Sequence, residues 1–277
     1  MIVTLFLVAT VTFFLMHAIP GQPFEVTRET PESVRVALEA KYGLDKPLWE
    51  QYLIYMNNLL HGDFGVSMKY KGQTVTGEVA GGMPISAIIG FGGVLIGCVI
   101  GSVLGAVAAL KNKGPVDYIV IILAILGVSV PNFVFGSLIQ RYFAVEWKLF
   151  PIQGWRGWSY AVLPIMAAAF TNIAYYARML RTSMLDTMGQ DYIYTAKSKG
   201  LSQGEIVRRH MLRNSFLPLV TSLGPMCAGV LTGNFVIEKI FNVPGIGQSM
   251  ILAIQNSDYT MIMGLTIIFA FISVVCY

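Results

Sequence analysis

The chain has 277 residues, of which 55% are hydrophobic and only 12% are charged. Soluble domains usually carry about 25% charged residues, so this composition excludes an ordinary soluble fold and indicates an integral membrane protein. The net charge of +4 is then interpreted by where the basic residues lie relative to the bilayer, and not as a sign of nucleic-acid binding. Cys98, Cys227 and Cys276 lie in apolar runs without paired spacing, which favours buried free thiols over disulfides or a metal site.

Six apolar runs are long enough to cross a bilayer, for which a helix needs about 20 mostly apolar residues. We therefore expect an all-α, polytopic membrane protein with six spans. The first run starts with "MIVTL", which argues against a signal peptide because such peptides begin with basic residues. Neither outer run has a basic flank, so we expect short cytoplasmic tails beyond this sequence. The six runs cover residues 1–19, 84–110, 118–140, 160–182, 215–237 and 259–277.

The basic residues of the short loops predict the orientation of these spans. The loop 111–117 contains Lys111 and Lys113, and the stretch 178–214 contains seven Lys or Arg residues. Both regions fall on one side of a six-span count, and we assign that side to the cytoplasm. Both chain termini are then expected to be cytoplasmic.

The segment 20–83 is expected on the extracellular side. Its Pro and Gly residues predict two short amphipathic helices, one within residues 30–43 and one within residues 45–62. The expected plan is a first span at 1–19, this external segment, and a five-span core at 84–277 that contains a cytoplasmic loop at 183–214.

The second apolar run contains a row of glycines, each four residues after the last. Such a row lies on one helix face and lets the backbone of another helix approach closely. We predict tight helix packing on this face, and the functional alternative is a helix contact that moves. The row consists of Gly93, Gly97, Gly101 and Gly105.

Asp, Glu, Lys and Arg are absent from the apolar runs 84–110, 118–140, 160–177, 215–237 and 259–277. Ion-coupled carriers usually bind a proton or sodium ion through such residues at depth, so their absence argues against a carrier of this kind. Asn132, Asn172 and Asn234 are polar positions within apolar surroundings. They are candidates to line a pathway, and hydrogen bonding between helices is the alternative interpretation.

No catalytic constellation is evident in the sequence. The chain has three His residues and contains no HExxH, GxSxG, CxxC or phosphate-loop motif. We therefore expect neither an enzyme nor a cofactor site. His17, near the outer end of the first span, is interpreted as an interfacial or packing residue.

The polar stretch at 183–215 stands out within this apolar chain. Asp191 is predicted to cap a short helix that Gly200 ends, and Ser202 with Glu205 fits a capping box for a second helix. We call residues 191–214 the elbow. On its second helix Glu205 is placed to pair with Arg208 and Arg209. An apolar ridge on the same helix predicts burial against a partner, with a solvated loop as the alternative; the ridge consists of Ile206, Val207, His210 and Met211.

The elbow resembles a motif of ABC-importer permeases. "YTAKSKG" falls where the cytoplasmic EAA motif reads E-A-A-x-x-x-G, so that Ala196 and Gly200 match, whereas Tyr194 and Thr195 replace the first two residues. The longer string "DYIYTAKSKGLSQGEIVRRHMLRNSFLPLV" is similar to the dipeptide/oligopeptide subfamily, whose members read D-Y-x-x-T-A-x-x-K-G-L and R-H-x-L-R-N-x-x-L-P. Four further segments are similar to that subfamily in the same order: "LMHAIPGQPF", "YGLDKPLWEQYLIYMNNLLHGDFGVS", "VFGSLIQRYFAV" and "IEKIFNVPGIGQ".

The resemblance implies the first of the two permease types of a type I ABC importer for di- or oligopeptides, in the bacterial cytoplasmic membrane. It implies a second, similar permease, two cytoplasmic ATPases that supply ATP hydrolysis, and an extracellular or periplasmic binding protein as partners. It also implies that the elbow couples to the ATPases. The coupling candidates are Asp191, Tyr192, Thr195, Ala196, Lys199, Gly200, Glu205 and Arg209.

Three alternatives stay open. Related importers of the same subfamily carry nickel, opines, glutathione or sugars, although the sequence has no His/Cys/Asp cluster for a metal in the spans. A channel or ion-coupled carrier is an alternative of another class. A non-transporting scaffold that recruits partners through the elbow is the third.

Overall fold

The computed structural model describes residues 1–19, 43, 46–70 and 72–276. The helix expected within residues 30–43 lies outside the described residues, apart from Gly43. In the described part the regular structure is helical, and one isolated antiparallel bridge joins Val66 to Thr74.

The helices of the first half are separated by short connections. In chain order they are α1 (Ile2–Ala18), α2 (Leu48–Leu60), α3 (Val75–Leu110), α4 (Pro115–Ser129), α5 (Asn132–Ile139), which continues as a π-helix (Gln140–Glu146), and α6 (Trp158–Met188).

The second half begins with α7 (Asp191–Ser198). A long helical stretch, Gln203–Ile240, follows and has several local breaks. It consists of α8 (Gln203–Glu205), a π-helix (Ile206–Met211), α9 (Leu212–Ser215), α10 (Leu217–Thr221), α11 (Leu223–Leu231) and α12 (Phe235–Ile240). The chain ends with α13 (Ile246–Gln255) and α14 (Tyr259–Cys276).

Four stretches of the described chain are long and apolar enough to cross a membrane: α3, α6, Gln203–Ile240 and α14. The bent pair α4 and α5 makes a fifth if it counts as one span. Helix α1 is apolar but has only 17 residues. The all-α polytopic fold that the sequence predicts is confirmed, with helices at all six expected positions.

The span expected over 118–140 is not one straight helix. Helices α4 and α5 meet at a bend of 98°. Pro131 explains the break, because the residue before a proline is driven out of the helical region. Val130 accordingly has φ −80° and ψ 120°, and the next helix starts afresh at Asn132.

The chain divides into two compact units. One consists of Met1–Ser86, Leu231–Lys239 and Pro244–Tyr277, and the other of Ala87–Val230 and Ile240–Val243. We call them the terminal unit and the central unit.

In the terminal unit, α2 lies along α1. The Tyr52 hydroxyl is 2.8 Å from the Thr10 hydroxyl, and the Tyr55 ring lies 5.4 Å from the Phe13 ring. His17 packs its ring against Phe13 and hydrogen-bonds the Phe13 carbonyl at 2.8 Å, which agrees with a packing role for this histidine.

In the central unit, the glycine row of α3 faces the backbone of α6. A Cβ at Gly93 would lie 2.6 Å from the Ala168 Cβ, and one at Gly101 would lie 2.6 Å from the Ile173 carbonyl oxygen. Real Cβ atoms do not approach other atoms so closely, so any larger residue would push the two helices apart. Gly97 and Gly105 meet α6 in the same way, at Asn172 and Ala177.

Candidate functional site

The elbow is attached to α6 by an apolar cluster. Ile193 and Ala196, three residues apart, lie on one face of α7 and are buried. They pack in one cluster with Tyr176, Leu180 and Met184 of α6. Full burial of a large apolar side chain contributes about 1.5–3 kcal/mol, so this cluster holds the elbow firmly on α6.

Helix α7 begins one residue earlier than predicted. Gln190 occupies the N-cap position and Asp191 is the first helical residue, so the prediction of Asp191 as the cap is wrong. A carboxylate in the first turn is still favourable, because it lies near the positive end of the helix dipole.

Gly200 ends α7, as predicted. Its φ of +76° is in the left-handed region that glycine adopts without strain. The Gly200 N–H donates to the Lys197 carbonyl at 3.0 Å, and the Leu201 N–H donates to the Ala196 carbonyl at 3.3 Å. This pair of bonds is the Schellman motif, which satisfies two carbonyls at the helix end and turns the chain sharply.

The predicted capping box at Ser202 is confirmed. The Ser202 hydroxyl accepts from the Glu205 N–H at 3.4 Å, and the Glu205 carboxylate accepts from the Ser202 N–H at 3.3 Å. The Ser202 hydroxyl also donates to that carboxylate at 3.0 Å and thereby lowers the pKa of Glu205. Arg209 completes the exposed group, with its guanidinium 4.0 Å from the Glu205 carboxylate.

The apolar ridge of the second helix packs within the chain itself. Ile206 and Met211 are buried in the same cluster as Leu180 and Met184 of α6. Val207 is only partly buried at the edge of this cluster. The prediction that the ridge needs a partner is therefore wrong, because the chain covers it with its own helix.

The exposed face of the elbow is polar and aromatic. Tyr192 and Tyr194 are exposed by 41% and 57%, and the Tyr192 hydroxyl accepts a 3.0 Å hydrogen bond from the Asn214 amide. Among the coupling candidates, Ala196 is buried and Glu205 is half-buried. The remaining candidates share the exposed surface, namely Asp191, Tyr192, Thr195, Lys199, Gly200 and Arg209.

The three asparagines predicted as possible pathway residues lie in different environments. The Asn172 amide donates to the Ala168 carbonyl at 3.0 Å within α6, and Asn132 is half-buried at the start of α5. The Asn234 N–H donates to the carboxylate of Glu238 at 2.9 Å.

Sequence reasoning missed a buried ion pair beside the elbow. Arg181 of α6 binds both carboxylate oxygens of Asp117, at 2.5 and 2.8 Å, and the Lys113 N–H donates to the same carboxylate at 2.9 Å. Asp117 is almost fully buried. The pair ties the loop 111–117 to the helix that carries the elbow.

A second missed carboxylate organises the segment before α13 in the terminal unit. Glu238 is fully buried and accepts from the backbone N–H groups of Asn234 at 2.9 Å and Gln248 at 3.0 Å. A Cβ on Gly245 would collide with this carboxylate. The motif "IEKIFNVPGIGQ" contained the signal, because its glycines are required where a carboxylate approaches the backbone.

Metal-binding groups are not evident in the described residues. No three His, Cys, Asp or Glu side chains come together there as ligands. Cys98, Cys227 and Cys276 are free thiols, each half-buried.

Comparison with protein families identifies the chain. Residues 101–277 match the model of the binding-protein-dependent transport system inner membrane component, and residues 1–73 match the N-terminal model of the same transport systems. The chain belongs to this family. These permeases are multi-pass membrane proteins, in agreement with the helical stretches described above.

Individual permeases of the family are similar over nearly the whole chain. A dipeptide transport system permease protein of Lactococcus lactis subsp. cremoris is 42% identical over 275 residues, which cover 99% of this chain and 90% of the relative. A protein of the same name from Bacillus subtilis is 43% identical, with 99% and 89% covered. An oligopeptide transport system permease protein of Haemophilus influenzae is 40% identical over 267 residues, with 96% and 87% covered.

Proposed function

We propose that the chain is the transmembrane permease subunit of an ATP-driven importer of di- or oligopeptides. Support comes from relatives that are named as dipeptide and oligopeptide permeases and that align over almost the whole chain. The subunit resides in the bacterial inner membrane with both termini in the cytoplasm, and it forms half of the passage together with a second, similar permease.

ATP hydrolysis is supplied by two cytoplasmic partner subunits, because the chain contains no phosphate-loop motif. An extracellular or periplasmic binding protein delivers the substrate. The permease itself is therefore a transport subunit and not an enzyme.

The elbow docks on one of the ATPases. The observation that carries this proposal is the two-sided build of α7, whose buried face is anchored on α6 and whose exposed face presents Asp191, Tyr192, Thr195 and Lys199. Exposed polar contacts contribute about 0–1 kcal/mol each, less than the buried cluster contributes per large side chain. Movement of the ATPase therefore moves the elbow and α6 together, and the passage alternates between its two open states.

The docking proposal is tested by Gly200→Trp in the complete importer reconstituted in liposomes. Gly200 lies in open space, so the new side chain meets no atom of the permease and projects from the proposed docking surface, although the φ of +76° strains any side chain at this position. Gly62→Trp is the matched control, because Gly62 has φ +75°, lies in open space and follows the end of α2 as Gly200 follows the end of α7. We expect Gly200→Trp to abolish ATP-dependent uptake. The Gly62→Trp control should assemble and keep this uptake. Normal uptake by the Gly200→Trp importer would refute the docking surface.

The substrate class is tested by competition. Uptake of a labelled dipeptide is measured against unlabelled peptides, nickel, glutathione, an opine and a sugar. Competition by peptides alone is expected. Competition by one of the other compounds, without competition by peptides, would move the chain to a related importer.

A further inference from the structure

Helix α6 has a polar, exposed face opposite the one that holds the elbow. Tyr176, Leu180 and Met184 point into the buried cluster. Arg178, Thr182 and Asp186 are exposed. Residues spaced by three or four share a helix face, so these three form one continuous polar strip.

The strip lines an open cleft of about 410 Å³ in the central unit. Tyr175 and Met179 of α6 form one wall of the cleft, and the thioether of Met179 is flexible. Pro218 of α10 closes the other side. Sequence patterns did not indicate a pathway at these residues. Arg178 served only as one of the basic residues that predict the orientation of the spans.

The cleft presents one positively and one negatively charged side chain. In the part of the chain that the structure describes, neither the Arg178 guanidinium nor the Asp186 carboxylate forms an ion pair. The two residues are eight positions apart on one helix, which corresponds to about 12 Å along its axis.

We propose that this cleft binds a peptide in transit, with Arg178 facing the terminal carboxylate and Asp186 facing the terminal ammonium; this inference rests on the proposed peptide-import function. A free peptide carries both charges near neutral pH whatever its side chains are. Three to four extended residues span about 10–14 Å, which matches the separation of the two positions along the helix.

Weak binding suits such a site. Exposed ion pairs are screened by water and salt, so each contact changes occupancy by only about twofold to fivefold. A passage must release its substrate, and a cleft that recognises only the peptide termini accepts varied sequences. Because the elbow sits on the opposite face of the same helix segment, movement of the elbow also displaces the cleft.

The test uses crosslinking in the complete importer. Thr182→Cys is introduced after replacement of Cys98, Cys227 and Cys276 by alanine, and the binding protein is saturated with a tripeptide that bears a methanethiosulfonate on its central side chain. Asn112→Cys, at an exposed residue of the loop 111–117 outside both the cleft and the elbow, is the control for reaction with released peptide.

We expect crosslinking at position 182 that requires ATP and the binding protein. Arg178→Gln should lower the yield about twofold to fivefold for the peptide with a free carboxylate and leave the yield of its C-terminal amide unchanged. Asp186→Asn should do the same for the free amine relative to the N-acetylated peptide. Yields that do not respond to either substitution while uptake proceeds would overturn the cleft assignment. Absence of any peptide uptake by the unsubstituted importer would instead overturn the proposed function.

Discussion

Arg181 and Asp117 form a two-point ion pair that joins the start of α4 to the helix carrying the elbow. The Asp117 side chain is 2% exposed and that of Arg181 20%. Removal of one partner from such a pair leaves the other charge without compensation in a poorly solvated place. The pair therefore matters most through the penalty that its disruption carries.

Asp117→Ala should destabilise the permease by about 3–5 kcal/mol, because it leaves the Arg181 guanidinium unpaired. Unfolding in detergent, followed by circular dichroism, measures the change. The control is Glu146→Ala, which breaks an exposed pair with Arg141 and should cost less than about 1 kcal/mol. Equal effects of the two substitutions would contradict the importance of burial.

Gly101→Ala should destabilise the packing of α3 on α6 by about 1–3 kcal/mol, because the added Cβ meets the Ile173 carbonyl oxygen. Gly81→Ala is the control on the same helix, since its Cβ meets nothing within 4 Å. The control should be neutral or stabilise the protein by up to about 1 kcal/mol through higher helix propensity. Thermal unfolding of the purified permease distinguishes the two substitutions.

Ala196→Glu and Thr195→Glu place the same side chain at a buried and at an exposed position of α7. Ala196 is buried in the apolar cluster, so a carboxylate there should destabilise the elbow by more than about 2 kcal/mol. Thr195 is exposed, so its substitution should change stability by less than about 0.5 kcal/mol.

The two variants should also differ in function. If the exposed face docks on an ATPase, Thr195→Glu leaves a folded permease whose uptake is impaired. A measurement of thermal unfolding and of ATP-dependent uptake on the same preparation separates the two effects. Full uptake by a stable Thr195→Glu importer would exclude Thr195 from the docking contact.

Glu238→Gln should destabilise the segment before α13 by about 1–3 kcal/mol. The carboxylate accepts backbone N–H groups through both oxygens, whereas an amide presents one oxygen and a nitrogen that cannot accept. Limited proteolysis of this segment and unfolding midpoints report the change. Glu50→Gln, at a partly exposed pair with Lys46, is the control and should have little effect.

Local patterns in the sequence were sufficient for the helix positions and for several of the helix ends. The Schellman end at Gly200 and the capping box at Ser202 follow from residue types a few positions apart, because backbone groups at helix ends are satisfied locally. Apolar run length was sufficient for the helix positions, because a bilayer core sets the length of a spanning helix. The bend at Pro131 also follows from a local rule, because a proline drives the residue before it out of the helical region.

Pairs of residues that are distant in the chain could not be predicted from the sequence alone. Nothing local joins Asp117 to Arg181, which are 64 residues apart, or shows that Ile206 and Met211 turn toward α6. The apolar pattern of the ridge predicts that it is buried. The pattern is the same whether another protein or the same chain covers it.

The sequence by itself determined the membrane class, the helices, the local caps and the family resemblance, because these depend on composition and on residues close together in the chain. Only the tertiary structure decided which face of the elbow is buried and which charges are paired. It also decided where α6 leaves Arg178 and Asp186 exposed in a cleft. Those properties depend on which distant side chains exclude water from one another, and the packing of whole helices sets that exclusion.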